Sequence, residues 1–264
     1  MSSIEGSPPA VAVPNDIELA LTKPVDTVES VLDNFAEVGP LLVGSNLAHV
    51  ETFWRVYGDV TDSVNEGLQR GIFKRPDDVR HTLPLFYDFA RWPLLAYVRG
   101  EPDAMDSEWR RSLYDPRVVA AMPGIQFLSQ MNSHIANDLG RALRQSKVSD
   151  EYKPDFTIMV GKKLDEVASR HAQELIPLQI PALRGLTLAT CLKYIDVTRE
   201  IAWHDGKRLL AAHGTPEEAR IEYQIKRNAL RQGKVLHHSG TVALNGAIQL
   251  EAIANRVSRL ARAA

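Results

Sequence analysis

The stretch IQFLSQMNSHIANDLGRAL, residues 125–143, decides how this chain is expected to fold. Its apolar residues recur at the spacing of an α-helix, and it contains neither Lys nor Glu, which a solvent-exposed helix face normally displays. It nevertheless carries a group of polar and charged side chains: Asn132, His134, Asn137, Asp138 and Arg141. We therefore predict a central helix that is enclosed by other helices on most sides.

Helical spacing of about 100° per residue sorts this segment into three faces. One broad face is apolar. The second consists of small residues that let another helix backbone approach closely: Ser129, Ser133, Ala136 and Gly140. The third is polar and consists of Gln130, His134, Asn137 and Arg141, with Asp138 at its border. Since buried polar groups cost free energy when unpaired, the third face must meet polar partners, water or a ligand.

The rest of the chain also shows helical periods, and alternating β-branched runs between tight turns are almost absent. We predict an all-α fold, a single compact domain of about eight to ten helices around the central one. Residues 1–23 show no sustained period and are predicted to be a flexible arm, so that the domain covers residues 24–264. Pro177 and Pro181 favour an extended crossover, which makes 177–185 the best candidate for a subdomain boundary.

Capping residues and helix breakers predict several helix ends. Asp26 is expected to cap a helix that stops at Gly39-Pro40. The next helix is expected to end near Gly71, and Ser239-Gly240 is expected to separate the last two helices.

Composition narrows the possible functions. The 264 residues are 44% hydrophobic, and 31 Lys and Arg stand against 33 Asp and Glu, so a general attraction to nucleic acid or anionic lipid is not expected. The single cysteine, Cys191, is expected to be a core residue in a reducing compartment. No segment resembles a signal peptide or a membrane span. We expect a cytoplasmic protein with a small-molecule ligand, and a homo-oligomer is left open.

The absence of short catalytic motifs argues against several classes of enzyme. The sequence contains no GxSxG, GxxxxGK, GxGxxG or HExxH pattern. This argues against hydrolases with a nucleophile elbow, P-loop enzymes, Rossmann enzymes and zincins.

His134 and Asp138 are four residues apart, which on a helix places one above the other. This spacing lets a carboxylate orient an imidazole, and it also presents two ligands to a metal. A buried polar network that only locks helices together explains the same residues. We predict no metal, because no second cluster has the spacing of ligands.

The sequence resembles an uncharacterised, mostly bacterial family, a domain of unknown function. The family's central motif is Met-Asn-x-His-Ile-Asn-x-Asp-Leu, and here it reads MNSHIANDL, residues 131–139. Three further stretches are similar and follow the same order: FWRVYGDVTDSVNEGLQRGIF (53–73), KPDFTIMVGKKLDEV (153–167) and REIAWHDGKRLL (199–210). The resemblance implies an all-helical fold and no established reaction.

Agreement with the family extends beyond the central motif and is not complete. The matching positions are Asn132, His134, Asp138, Asp155, Arg199 and Trp203. The chain departs from the family at three positions. Ala136 stands where a second Asn is expected, Phe86 where an acidic residue is expected, and Gly161 where an Asn is usual.

Our leading hypothesis is an enzyme that acts on a small, largely apolar metabolite. His134 would be the general acid or base and Asp138 would orient it. The candidate substrate-binding residues are Asn132, Asp155, Arg199 and Trp203, and Trp92 is a further candidate for the pocket wall. A non-catalytic binding or scaffold protein is one alternative. The other is a metal-dependent hydrolase or oxygenase that uses His134 and Asp138 with Asp155 or another carboxylate. No cofactor is identified.

Overall fold

The described part of the chain is mostly helical. The computed structural model describes residues 15–43, 45, 47–178 and 181–263, except for the side chains of residues 182, 239–248 and 250–263. The first helices are α1 (Asn15–Thr22), α2 (Val28–Leu42), α3 (Ala48–Gln69) and α4 (Pro76–Val98). The next are α5 (Ser107–Tyr114), α6 (Pro116–Val119) and α7 (Pro123–Asn132).

Two π-helical segments interrupt the α-helices that follow. Segment π1 (Ser133–Leu139) joins α7 to α8 (Gly140–Ser146), and π2 (Thr157–Lys162) joins α9 (Lys153–Phe156) to α10 (Lys163–Arg170). The chain continues through α11 (Ala172–Leu175), α12 (Pro181–Ala211) and α13 (Pro216–Ala263). Short 3-10 turns lie at Pro102–Ala104 and Asp150–Tyr152. The described residues contain no strand, and the prediction of an all-α fold is confirmed.

The predicted central helix is present. Helices α7 and α8 and the π1 segment between them run without a break from Pro123 to Ser146, and every residue from Phe127 to Ile135 is buried. The surrounding elements are α3, α4, α5, α12 and α13. The absence of Lys and Glu from residues 125–143 is therefore explained by burial.

Small residues let α8 and α12 cross closely. A Cβ atom on Gly140 would lie 3.0 Å from the carbonyl oxygen of Ala202 and 3.2 Å from the nitrogen of Gly206. A Cβ atom on Gly206 would lie 2.9 Å from the Cβ of Leu143. Gly140 thus does what the small-residue face predicted, because it brings a second helix backbone against the central helix.

One hydrophobic core joins most of the molecule. It extends from Ile17 in α1 to Trp203 in α12 and includes Leu178, which is fully buried between Pro177 and Pro181. A smaller cluster joins the end of α12 to the start of α13. The described residues therefore form a single domain, and residues 181–185, predicted as part of a crossover, already belong to α12.

The N-terminal segment differs from the prediction. Helix α1 buries Ile17, Ala20 and Leu21 completely, and Asn34 donates a hydrogen bond to the carbonyl oxygen of Ala20 at 2.7 Å. The spacing of these apolar residues, i, i+3 and i+4, gives a helical face that is only two turns long. The prediction of a flexible arm is wrong from Asn15 onward, and residues 1–14 lie outside the described residues.

Two other helix ends also differ. The N-cap of α2 is Thr27 rather than Asp26, because the Thr27 side chain accepts from the backbone N–H of Ser30, and the helix continues through Pro40. Helix α13 continues through Ser239-Gly240, where a break was predicted. Ser and Gly only lower helix propensity, by about 1 kcal/mol at most for Gly, so neither residue has to end a helix. The predicted end near Gly71 is confirmed, with φ of +66° at that glycine.

Within the described ranges, no helix combines the length and the apolar composition that crossing a bilayer requires.

Candidate functional site

A small cavity of about 40 Å³ lies beside the central helix at His134. Helices α3, α4, α7 and α10 and both π segments contribute to its wall. Most of the wall is apolar: Val60, Val64, Leu83, Phe86, Met131, Ile135, Met159, Val160 and Leu164. The polar side chains on it are those of Tyr57, Thr61 and His134.

His134 is held by aromatic rings. Its imidazole stacks on Phe86, with ring centroids 3.7 Å apart and planes 9° from parallel, and Tyr57 lies at 4.6 Å on a tilted plane. The side chain is 1% exposed, and neither ring nitrogen has a hydrogen-bond partner. Burial lowers the pKa of His134 well below its usual value, so the imidazole is neutral at pH 7. An unpaired, neutral proton acceptor therefore stands on an apolar cavity wall.

Asp138 lies next to His134 but is bonded to other groups. Its Oδ2 accepts from the indole N–H of Trp109 at 2.7 Å, and its Oδ1 accepts from the Asn137 amide at 2.6 Å. The distance from Oδ2 to Nδ1 of His134 is 3.6 Å, which is too long for a hydrogen bond. Burial raises the pKa of Asp138 well above its usual value. The predicted pair is adjacent, but stacking rather than Asp138 fixes the plane of the imidazole.

The two π segments meet at the cavity. His134 and Ile135 come from π1, and Met159 and Val160 come from π2. A π-helical turn has i→i+5 hydrogen bonds and occurs often at functional sites, where it displaces side chains from their α-helical positions. The cavity is therefore placed where the backbone departs from regular helix in both chain segments.

Asn132 faces away from the cavity. Its amide donates to Oε1 of Glu108 at 2.7 Å and to the carbonyl oxygen of Ala229 at 3.1 Å, while its own oxygen accepts from Tyr194 at 2.6 Å. Glu108 is fully buried and accepts two hydrogen bonds from Arg111, at 2.6 and 2.9 Å. Burial raises the pKa of Glu108. Asn132 thus belongs to a network that connects α5, α7, α12 and α13.

Asp155 anchors the turn before α4. Its carboxylate oxygens accept from the backbone N–H of Lys74 at 3.0 Å and of Arg75 at 2.5 Å. The side chain is buried and does not line the cavity. Both carboxylate oxygens of Asp155 therefore accept hydrogen bonds from the protein itself.

Arg199 lies against the backbone of π2. Its guanidinium pairs with Asp196 at 2.8 Å, and a Cβ atom on Gly161 would lie 2.2 Å from its Nη1. An Asn at position 161, as the resemblance implies, would require Arg199 to move. The glycine at position 161 and the position of the Arg199 side chain are therefore linked.

The two candidate tryptophans are also outside the cavity wall. Trp203 packs on Phe156 at 5.0 Å, with Nζ of Lys153 4.7 Å from its ring. Trp92 is 51% exposed, with the guanidinium of Arg91 4.9 Å from its ring. Of the candidate residues, the structure brings only His134 and Asp138 together, and only His134 lines the cavity.

Sequence reasoning missed the two aromatic rings that lie nearest to His134, those of Phe86 and Tyr57. Phe86 stands out in the sequence only as a departure from the family, and Tyr57 lies in the similar stretch 53–73 without standing out. The signal for Tyr57 was available, because it precedes Val60, Thr61 and Val64 at spacings of three, four and seven on the same helix face. Ala136, the remaining departure, is half-buried and does not line the cavity.

In the part of the chain that the structure describes, no group of three or more His, Cys, Asp or Glu side chains is arranged to hold a metal ion. The carboxylates of Asp138 and Asp155 have separate partners in the protein, which are side chains for the first and backbone amides for the second.

Comparison with known proteins identifies the family. No curated protein and no solved structure shows a significant match to the chain. Residues 28–239 match the model of a family of unknown function, DUF5995. Since the match covers most of the 264 residues, the chain belongs to this family.

Proposed function

We propose that the protein is an enzyme that binds a small, largely apolar molecule in the cavity and exchanges a proton with it through His134. The observation that supports this proposal is the buried imidazole with two unpaired nitrogens on an apolar cavity wall. Buried polar groups are nearly always hydrogen-bonded, and small-molecule sites usually have an apolar wall with few polar groups. At about 40 Å³ the cavity is small, so the ligand has only a few non-hydrogen atoms or the wall moves outward when it binds.

The protonation state gives the direction of the transfer. Since burial lowers the pKa of His134, the folded protein presents a neutral imidazole that accepts a proton, and the residue acts as a general base. Asp138 lies 3.6 Å from Nδ1. A ligand that draws the two closer would let the carboxylate stabilise the imidazolium, and catalytic hydrogen bonds often tighten in this way on binding.

The contacts of the other candidates support a second function for part of this region. Asn132, Asp155 and Arg199 bond to protein groups, which is what a scaffold that specifies helix packing requires. A scaffold does not account for His134, because its nitrogens bond to no protein group. We therefore assign helix packing to these three residues and ligand binding to His134.

The protein is proposed to work in the cytoplasm. Cys191 is partly buried, and burial raises the pKa of its thiol to about 11. A thiol with a high pKa is rarely ionised at neutral pH and reacts slowly, as expected of a cysteine without a redox role.

Methionine methyl groups provide a direct test of binding. Met131 and Met159 line the cavity, and Met105 and Met122 do not. In protein labelled with ¹³C at the methionine methyls, 1-butanol or 2-butanone should shift the signals of Met131 and Met159 and leave the other two unchanged. Loss of one hydrogen bond of about 1 kcal/mol in His134→Leu should weaken binding of 1-butanol about fivefold. Equal shifts at all the methyls, or none at any, would contradict the proposed binding site.

Turnover needs its own test. The wild-type protein and His134→Gln are incubated with a mixture of small uncharged metabolites, and the mixture is followed by mass spectrometry. We expect the wild type to consume or isomerise a component that the variant leaves intact. Equal conversion by both proteins would show that His134 is not the catalytic base.

A further inference from the structure

Tyr57 is a second polar group on the cavity wall. It lies on α3, and its ring centroid is 4.6 Å from that of His134. Its side-chain oxygen is buried and has no hydrogen-bond partner. Burial raises the pKa of Tyr57 well above its usual value, so the hydroxyl keeps its proton and is available as a donor. The cavity therefore offers a proton acceptor and a hydrogen-bond donor on neighbouring rings.

The other side chains on the cavity wall limit the reactions that the cavity can support. The third polar group, the Thr61 hydroxyl, already donates to the backbone carbonyl oxygen of Tyr57 at 3.0 Å. Among the described residues that line the cavity, none is Lys, Arg, Asp, Glu, Ser or Cys. A carboxylate or an ammonium group would enter without a counter-charge, which is costly in an apolar site. Acyl transfer would lack a Ser or Cys nucleophile. Proton transfer on an uncharged molecule is the chemistry that these side chains support.

We infer that Tyr57 and His134 act together on an uncharged carbonyl compound, with Tyr57 bonded to the carbonyl oxygen and His134 taking a proton from the adjacent carbon. This inference rests on the proposed function. In the step, the C–H bond next to the carbonyl breaks and its proton passes to Nε2 of His134, because Nδ1 faces Asp138. The electron pair moves to the carbonyl oxygen, where the Tyr57 hydroxyl stabilises the enolate. Return of the proton to carbon completes a cycle that needs no oxidant or reductant.

A carbonyl compound fits better than a simple alcohol. Removing the hydroxyl proton of an alcohol leaves an alkoxide whose charge has no group in the ligand to receive it. Next to a carbonyl, the charge moves to an oxygen, and a positioned donor in a dry site stabilises that oxygen strongly. Tyr57 supplies such a donor within the same cavity as the base.

The test uses 2-butanone as the probe. In D₂O, the full-length wild-type protein should exchange the protons next to the carbonyl for deuterium above the buffer rate, as followed by ¹H NMR. Tyr57→Phe keeps the ring and removes the hydroxyl, and it should slow the exchange about 100-fold, the usual cost of losing one such donor. Shifts of the Met131 and Met159 methyls report whether the ketone still binds.

Tyr87→Phe is the matched control. Tyr87 is also a buried tyrosine on a neighbouring helix, but its hydroxyl donates to Asn34 and it does not line the cavity. This variant should exchange 2-butanone at the wild-type rate. It also shows whether losing a buried hydroxyl alters the reaction merely by loosening the fold.

The outcomes separate this inference from the proposed function. The role of Tyr57 is supported if Tyr57→Phe exchanges 2-butanone slowly but still shows the shift of the cavity methyls. Tyr87→Phe must in that case exchange at the wild-type rate. Binding of 2-butanone without exchange in the wild type overturns the reaction, and equal rates in wild type and Tyr57→Phe overturn the role of the hydroxyl. Both results leave the binding site of the proposed function in place. If neither 1-butanol nor 2-butanone shifts the cavity methyls, the proposed function fails and this inference fails with it.

Discussion

At the scale of a single residue, the buried imidazole of His134 makes stability depend on pH. Its folded pKa lies below the ordinary value of 6.5, so between these two values the unfolded chain holds a proton that the folded protein does not. The stability that the neutral imidazole of His134 contributes is thus fully present above pH 6.5 and is lost as the pH falls. At pH 5.5 the loss amounts to about 1 kcal/mol.

Urea unfolding at pH 7.5 and 5.5 checks this value. Wild type should lose about 1 kcal/mol more than His134→Leu over this interval. The raised pKa of Asp138 acts in the opposite direction, since its protonated folded state favours stability at low pH. Because both proteins retain Asp138, their difference isolates His134. Parallel pH dependence in the two proteins would mean that the pKa of His134 is the same in the folded protein as in the unfolded chain.

Asn132 is predicted to affect stability and not ligand binding. Asn132→Ala removes its hydrogen bonds to Glu108, Ala229 and Tyr194 and leaves buried polar groups unpaired, which costs about 1 to 3 kcal/mol. The affinity for 2-butanone, measured from the Met131 methyl shift, should stay within twofold of wild type. A large loss of affinity with unchanged stability would instead place Asn132 in the ligand site, as the sequence suggested.

The sequence located the key residue but not its surroundings. His134 stands out because a histidine within an apolar helix needs a partner. Its neighbours Tyr57 and Phe86 come from α3 and α4, about 50 to 80 positions earlier in the chain, and local spacing does not report such contacts. Asn132, Asp155 and Arg199 are grouped with His134 because they match the family's motifs, yet each of them bonds within the protein.

At the scale of elements, the π1 segment limits what a helical wheel can predict. A wheel at about 100° per residue assumes i→i+4 bonds, whereas a π segment has more residues in each turn. Side chains that follow Ser133 are therefore rotated from their calculated positions. The existence of the central helix was predictable from its apolar period, but the direction of Asp138 was not.

The crossing of α8 and α12 provides a prediction with an internal control. Gly206→Ala places a Cβ 2.9 Å from the Cβ of Leu143 and 3.0 Å from the carbonyl oxygen of Gly140. The helices must separate, and overpacking of this kind costs about 1 to 3 kcal/mol. Gly185→Ala in the same helix has no atom within 4 Å of its new Cβ and should stabilise the protein by up to about 1 kcal/mol.

Thermal unfolding followed by circular dichroism measures both variants. We expect the melting temperature of Gly206→Ala to fall and that of Gly185→Ala to rise. A fall in both would show that glycine is required in α12 for a reason other than close approach to α8.

At the scale of the whole molecule, the continuous core predicts a single unfolding transition. Helices α1 to α12, with the exception of α6, share one hydrophobic cluster that includes residues on both sides of the 177–185 segment. Far-ultraviolet circular dichroism and the fluorescence of the buried Trp54, Trp109 and Trp203 should therefore give coincident urea curves. Two separated transitions would instead support a subdomain boundary at 177–185, as Pro177 and Pro181 suggested.

Fold class was the easiest property to predict, since helical periods run through most of the sequence. The presence of α1 and the continuity of α13 were not. Ile17, Ala20 and Leu21 form a helix because α1 packs against α2 and α4, and Ser239-Gly240 stays helical although both residues have low propensity. In each case tertiary packing or helix continuity outweighed a weak local preference.

The two π segments have a consequence for the family's evolution. A π turn is commonly an α-helix that has gained one residue, so deleting a single residue from 133–139 or 157–162 would restore regular helix. Residues beyond the deletion would then turn by about 100° around the axis, and the walls of the cavity would change together. We therefore expect relatives that keep both segments at this length to share the cavity, and a relative one residue shorter in either segment to lack it.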